Sequence, residues 1–342
     1  MIAAVAAALT IALDVVGAAL AVALDVVGAA LAVALDVVGT IPGQSNPISG
    51  VLFGIVEAWN DAIERVAIEL GIEMLTYGFM QQAFLVGILI AIMAPLIGTF
   101  LVHRQLALIG DALAHTAFAG VAIGLLVNTM VSVSISPYLT AVVVAMIAAL
   151  AIELISETTG AYNDVSMAIV LSTGFALGAV LISLNTGGLT VSVDQYLFGN
   201  LSTVSKSNAS VLIGLFVVIV AVVTLTYKQL LYVTFDETAA RVAGINVPWY
   251  NRIMTMLTAM VVVGAMQIMG VILVAAMLVV PVAAATQLAR GFREALVGSI
   301  ILAEIAVLVG ISLSYTYETT AGGTIVLVAV GLYVLAVAAG KR

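Results

Sequence analysis

Cysteine is absent from the 342 residues, so neither a disulfide framework nor a thiolate metal site can form. Charge is nearly absent too. Only 8% of the residues are Asp, Glu, Lys or Arg, against roughly 25% in an ordinary soluble domain. Hydrophobic residues make up 64% of the chain, and the mean hydropathy is +1.29. This composition excludes a water-soluble enzyme and excludes disorder. The net charge of -8, from 18 acids and 10 bases, argues against nucleic acid as a partner. Reactive motifs are missing as well: the chain has no GxxxxGK(S/T) phosphate loop and no HExxH zinc motif. Gly110-Asp111 is the dipeptide of aspartyl intramembrane proteases, but Leu108 stands where those enzymes have a further glycine, and Asp25 is the only other deep aspartate.

What is present is an all-α polytopic membrane protein, because apolar runs of about 20 residues follow one another. Nine spans are expected, near 78–101, 105–127, 138–156, 165–184, 209–227, 251–267, 270–289, 294–313 and 323–339. The stretch 251–289 is too long for one helix and breaks near Gln267 and Gly270. With nine spans, Arg104, Lys228, Arg241, Arg252, Arg290, Arg293, Lys341 and Arg342 share one side, and only Arg65 and Lys206 lie on the other. By the positive-inside rule the first side is cytosolic, so the C-terminus is cytosolic in a cytoplasmic membrane. Merging the spans around 267–270 would scatter the later charges.

Three regions follow from this pass. Residues 1–40 are a repeat in which LDVVGAALAVA places Asp14, Asp25 and Asp36 eleven residues apart, on nearly one helical face. The repeat reads as a low-complexity expansion in a possible extra first span. Residues 41–76 read as an extracytoplasmic linker and an amphipathic helix bearing Glu57, Asp61, Glu64, Arg65, Glu69 and Glu73. Residues 77–342 form the multi-span domain.

Ionisable groups inside spans are expensive and few here. Asp111 and His115 stand at i and i+4 on one helix face. Counted from Arg104, they lie ~10 Å and ~16 Å into the membrane. An oxygen and a nitrogen donor one turn apart suit zinc, manganese or iron, or else form a satisfied pair that ties helices together. Glu304 reaches ~16 Å by the same count from Arg293 and is a candidate for the same pathway. Glu153 lies near a cytosolic span end and can snorkel, and His103 marks the cytosolic interface. Met266, Gln267 and Met269 read as core packing. Between Phe235 and Arg252, Asp236 and Glu237 open a short helix that Gly244 stops, a natural docking element for a soluble partner.

Five blocks in order are similar to the membrane subunits of manganese/zinc ABC importers. The first runs from Phe79 to Gly124 and holds Arg104, Leu106, Gly110, Asp111, Ala112, His115 and Gly120. The others are Tyr196-Leu197-Phe198-Gly199-Asn200, the segment from Asp236 to Gly244, the run from Gly264 to Arg290 with Pro281, Ala283 and Ala285, and Ala321-Gly322 followed by Ile325-Val326-Leu327. The resemblance covers roughly residues 77–340. Thr320 and Gly323 stand where proline is usual near the last block, and Glu304 is not a family position. The resemblance implies a fold like that of vitamin B12-type importer permeases and a second permease copy, as a homodimer. It further implies a separate ATPase docked through Asp236, Glu237, Arg241 and Gly244, and a separate extracytoplasmic metal-binding protein. Asp111 and His115 would be the pathway's metal-binding residues. No cofactor is expected beyond the transported zinc or manganese, and lipid surrounds the spans. The alternatives are an ABC permease for a metal chelate and an ATP-independent secondary metal transporter.

Overall fold

The computed structural model describes residues 47–131, 137–159, 163–184, 196–201 and 204–340. The repeat and most of the linker lie outside the described residues. Eleven α-helices are described: α1 Pro47–Leu70, α2 Gly78–His103, α3 Ile109–Val131, α4 Pro137–Thr159, α5 Asn163–Leu184, α6 Lys206–Phe235, α7 Glu237–Val242, α8 Val247–Met269, α9 Val271–Thr286, α10 Phe292–Tyr317 and α11 Ala321–Gly340. Helices suit this chain because hydrocarbon offers the backbone no hydrogen-bond partner, and a helix satisfies its own groups.

Seven of them are long and apolar enough to cross a membrane individually, namely α2, α3, α4, α5, α6, α10 and α11. The pair α8 and α9 passes the same test only together, and bends by 119° at its break. The turn is made at Gly270, whose φ of 76° joins the C-terminus of α8 to the N-terminus of α9. A left-handed backbone favours glycine there. Two contacts fix how far α9 reaches. Gly322, at the start of α11, lies on the Met269 carbonyl, and Gly340, at its end, lies on the Gln287 carbonyl. The 16-residue α9 therefore runs beside the full length of α11, and by length and apolarity the described residues give seven spans, or eight with the bent α8–α9 pair taken as one, where nine were expected.

Two expected boundaries move. Residues 104–108 form turns instead of a first helical turn, with Gln105 at φ 59° and the Leu106 N–H donating to the Leu101 carbonyl. The helix expected over 209–227 extends over 30 residues, Lys206–Phe235, capped at its start by Ser205. At about 1.5 Å per residue it exceeds a membrane core and carries α7 beyond the bilayer edge.

Close packing relies on small residues, as expected where apolar surface alone gives little drive for helices to associate. Gly120 and Gly124 of α3 touch α4 at Pro137, Thr140 and Ala141, and Gly174 and Gly178 of α5 touch α3 at Thr116, Phe118 and Ala119. Gly98 of α2 meets the Leu278 carbonyl of α9, while the Leu278 side chain reaches Gly110 of α3. At the end of the bundle away from α7, Gly199 (φ 71°) and Gly270 press backbone to backbone. Met266 and Met269 are fully buried, as core packing requires. The amphipathic helix is α1. It buries Leu52, Val56 and Ala67 against the bundle, turns its acids to solvent, and pins itself through Trp59 Nε1, which donates to the Gln81 carbonyl at 2.8 Å.

Because a methyl group on Gly98 collides with Leu278 backbone, Gly98→Ala is expected to lower stability by about 1–3 kcal/mol. Gly331 has no atom within 4 Å of such a group, so Gly331→Ala should be neutral or up to ~1 kcal/mol stabilising. Thermal unfolding of the two purified variants checks the contrast, and equal losses would contradict the packing described.

Candidate functional site

The site is built on α3. Ala112, Ala114 and Ala117 are fully buried, and α4, α5, α8 and α9 pack around the helix. The side left open carries Leu108, Asp111 and His115, at i, i+3 and i+7. Asp111 and His115 face each other with Oδ1 and Nε2 3.5 Å apart, and their side chains are 35% and 18% exposed. That separation is long for a strong charge-assisted hydrogen bond. It matches the spacing of two ligands on one tetrahedral cation, ~3.4 Å for bonds of ~2.1 Å.

Three features orient the pair. Asp111 stands in the first turn of α3, where the helix dipole favours a negative charge. Phe175 of α5 meets the His115 ring edge-on, with centroids 5.3 Å apart and planes at 90°. His115 Nδ1 is buried and has no hydrogen-bond partner among the described residues, which leaves the ring's polar chemistry on its Nε2 edge. The depth agrees with the sequence count. Gly98 and Gly110 meet the same leucine, so Gly110 is level with a point five residues, ~7.5 Å, inside the end of α2. His115 is then ~15 Å in, near the middle of a ~30 Å core.

Among the described residues no group of three or more His, Asp or Glu side chains is placed to hold a metal ion. One chain thus presents two donors. Glu304 is not brought to them. It projects from α10, which packs on α2, α9 and α11, and it stands between Ile301 and Leu308 on that helix's exposed face.

At the end of the bundle beyond α6, α7 begins where Asp236 Oδ1 accepts from the Ala239 N–H at 2.8 Å. Arg241 pairs with Glu237 one turn earlier. Gly244 ends the helix at φ 81°, and the Ile245 N–H donates back to the Ala240 carbonyl. A small core of Val233, Ala240 and Val247 holds α7, and Val242 is 86% exposed beside Glu237 and Arg241.

A cavity of about 230 Å³ separates α7 from the base of α3, lined by Arg104, Ile109, Glu153, Glu157, Glu237 and Asn251 among others. Arg104 donates through Nη2 to Asn251 Oδ1 at 2.7 Å, and Arg252 bridges to Glu157 at 3.0 Å. Burial pulls the Arg104 pKa below its ordinary value, against the opposing pull of Glu153 and Glu237. A guanidinium remains cationic regardless. Glu153, expected only to snorkel, is one of the walls of this cavity. Asn251, Glu157 and Phe175 were not singled out by sequence. The first two are polar residues at span ends, where polarity is ordinary, and Phe175 is one apolar residue in an apolar run.

Residues 76–340 match the family described as the ABC 3 transport family. The chain is 34% identical over 264 residues to the manganese transport system membrane protein MntC of Halalkalibacterium halodurans, covering 77% of this chain and 88% of that one. It is 32% identical over 269 residues to the high-affinity zinc uptake system membrane protein ZnuB of Haemophilus influenzae, covering 78% and 99%. Among solved structures it is similar to PsaBC from Streptococcus pneumoniae, with a TM-score of 0.68, 28% identity, and 77% and 92% of the two chains covered. The fold is also that of a metal-chelate type ABC transporter in an inward-facing conformation, with a TM-score of 0.62, 15% identity, and 85% and 99% covered. The relatives are matched over most of their length, and all five sequence blocks fall within the matched residues. The chain belongs to the ABC 3 transport family, as a multi-pass membrane protein with the fold of ABC importer permeases.

Proposed function

We propose that this protein is the membrane subunit of an ATP-driven importer that carries a divalent transition-metal cation, zinc or manganese, across the cytoplasmic membrane, with its C-terminus in the cytosol. The observation that carries the reading is the Asp111–His115 pair, held 3.5 Å apart on the open side of α3 at mid-bundle depth. Relatives named for manganese and for zinc transport support the same cargo class.

Two donors do not complete a coordination shell. A second copy facing the same pathway would add another Asp111 and His115, giving two oxygens and two nitrogens around one cation. That donor set is hard enough for manganese and suited to zinc, and it lacks the thiolates that trap soft ions. The cation is cargo, so an incomplete, easily opened shell is an advantage. Glu304 lies apart from this shell and needs no role in it.

The chain has no phosphate-binding loop of its own, so hydrolysis belongs to a separate ATPase that docks on α7 through Glu237, Arg241 and the exposed Val242. An extracytoplasmic binding protein delivers the metal. Closure of the ATPase pair shifts α7, and the polar cavity beneath α3 passes that shift to the helix bearing the metal pair. Direction comes from different affinities of the site in its outward and inward states.

Uptake of radioactive zinc or manganese into vesicles tests the pair. Asp111→Asn and His115→Ala should each reduce uptake by more than the ~10–100-fold that follows loss of a group merely supporting a ligand. Insertion and ATPase binding should be intact in both variants, and unchanged uptake would remove the pair from the pathway. Blocking ATP hydrolysis should abolish uptake in the wild type; uptake that persists would make the protein a secondary transporter.

Gly244→Val places a β-branched residue at φ 81° and should distort the end of α7. Its copurification with the ATPase should fall while metal affinity is retained, and normal copurification would count against docking on α7. Arg104→Gln should keep ATP hydrolysis but lower the cations moved per ATP, with partial recovery in Arg104→Lys. An unchanged transport-to-hydrolysis ratio would relieve Arg104 of any positioning role.

A further inference from the structure

A groove of about 400 Å³ opens between the cytosolic ends of α6 and α10, away from the metal pair. Tyr227, Leu231 and Phe235 form one wall, and Arg290, Phe292 and Arg293 form the other. Its floor is aromatic. Phe292 lies 5.0 Å from Phe100, 5.2 Å from His103 and 5.7 Å from Phe235, measured between ring centroids. The transport reading uses none of these residues.

The groove is cationic at its mouth. Neither the Arg290 nor the Arg293 guanidinium has an ion-pair partner among the described residues, and both side chains are exposed. Glu294, the one acid in the lining, is engaged by the Arg290 backbone N–H at 2.8 Å. Lys228 stands three residues before Leu231 and adds a third base at the same level.

Above the mouth the surface turns apolar. Val297 and Ile301 follow Arg293 at i+4 and i+8 on the same face of α10 and are 57% and 53% exposed. A ligand that fits must carry an anion at the membrane edge and hydrocarbon above it. A soluble anion matches only the mouth, and a soluble protein segment does not follow a surface into the bilayer. We propose that this groove is a binding site for an anionic phospholipid of the cytosolic leaflet, its phosphate between Arg290 and Arg293 and its acyl chains along Val297 and Ile301. Basic pockets between transmembrane helices on the cytoplasmic side favour such headgroups.

The full-length chain, purified from membranes and placed in nanodiscs of phosphatidylcholine with or without phosphatidylglycerol, tests the site without reference to transport. Native mass spectrometry should find phosphatidylglycerol retained on the wild type. Arg290→Gln/Arg293→Gln should retain it ~30-fold less well, two surface cations having been removed. Arg65→Gln/Lys206→Gln, on the opposite face, should retain it as the wild type does. Unfolding in phosphatidylcholine alone should be the same for all three proteins, which separates lipid loss from misfolding. Equal retention by the Arg290/Arg293 variant would overturn the proposal, as would a wild type that retains no phosphatidylglycerol. Displacement of the lipid by excess inorganic phosphate would overturn it too, because the site would then recognise a free anion.

Discussion

The meeting of α2 and α3 at Leu278 of α9 sets the position of the candidate site. The Leu278 carbonyl sits on Gly98 of α2, and the leucine side chain sits on Gly110 of α3, the residue before Asp111. Hydrocarbon gives helices little reason to associate by burial alone, so contact depends on how near the backbones come. A side chain at Gly98 would push α9 outward. Asp111 would then lose its fixed depth, and the pair it forms with His115 would lose its register with the bundle.

That constraint explains what could be read from sequence and what could not. The break at Gly270 was legible because the apolar stretch 251–289 is too long for one helix. The structure supplies the local reason, a glycine at φ 76° lodged against Gly199. The side-by-side placement of Asp111 and His115 was legible because an i, i+4 spacing on a helix is a statement about geometry. The turn at 104–108 was not, since Arg-Gln-Leu-Ala-Leu carries neither glycine nor proline, and Gln105 adopts φ 59° only because α2 and α3 must reverse there. Nor could hydropathy give α6 its full length, because Lys228 and Gln229 end the apolar run well before the helix stops at Phe235.

Glu304 shows what reading by depth leaves open. Depth along a helix says how far a charge lies from water, and it says nothing about which way the charge points. Asp111 and Glu304 have similar depths by residue count, yet one lies on the open side of a central helix and the other on the exposed face of α10. Only helix packing separates them. The inverse holds for Glu153. Its position near a span end gave no reason to single it out, and the packing of α4 against α8 turns it into a wall of the cavity beside α7.

The two ends of the molecule are joined to its centre by different kinds of contact. At the outer end the contact is steric. Gly199 and Gly322 both rest on backbone at the α8–α9 elbow, so a displacement of the 196–200 segment or of the α10–α11 turn meets α9 directly. At the inner end the contact is polar. Arg104 ties the α2–α3 turn to α8 through Asn251, and carboxylates from α4 and α7 share its cavity. A polar cavity can change its hydrogen bonds over small movements at little cost, whereas close-packed glycines transmit displacement without such freedom. The inner end is therefore the compliant one. Under the proposed function, a motor docked on α7 acts at this polar end while α9 keeps the Asp111–His115 pair in place.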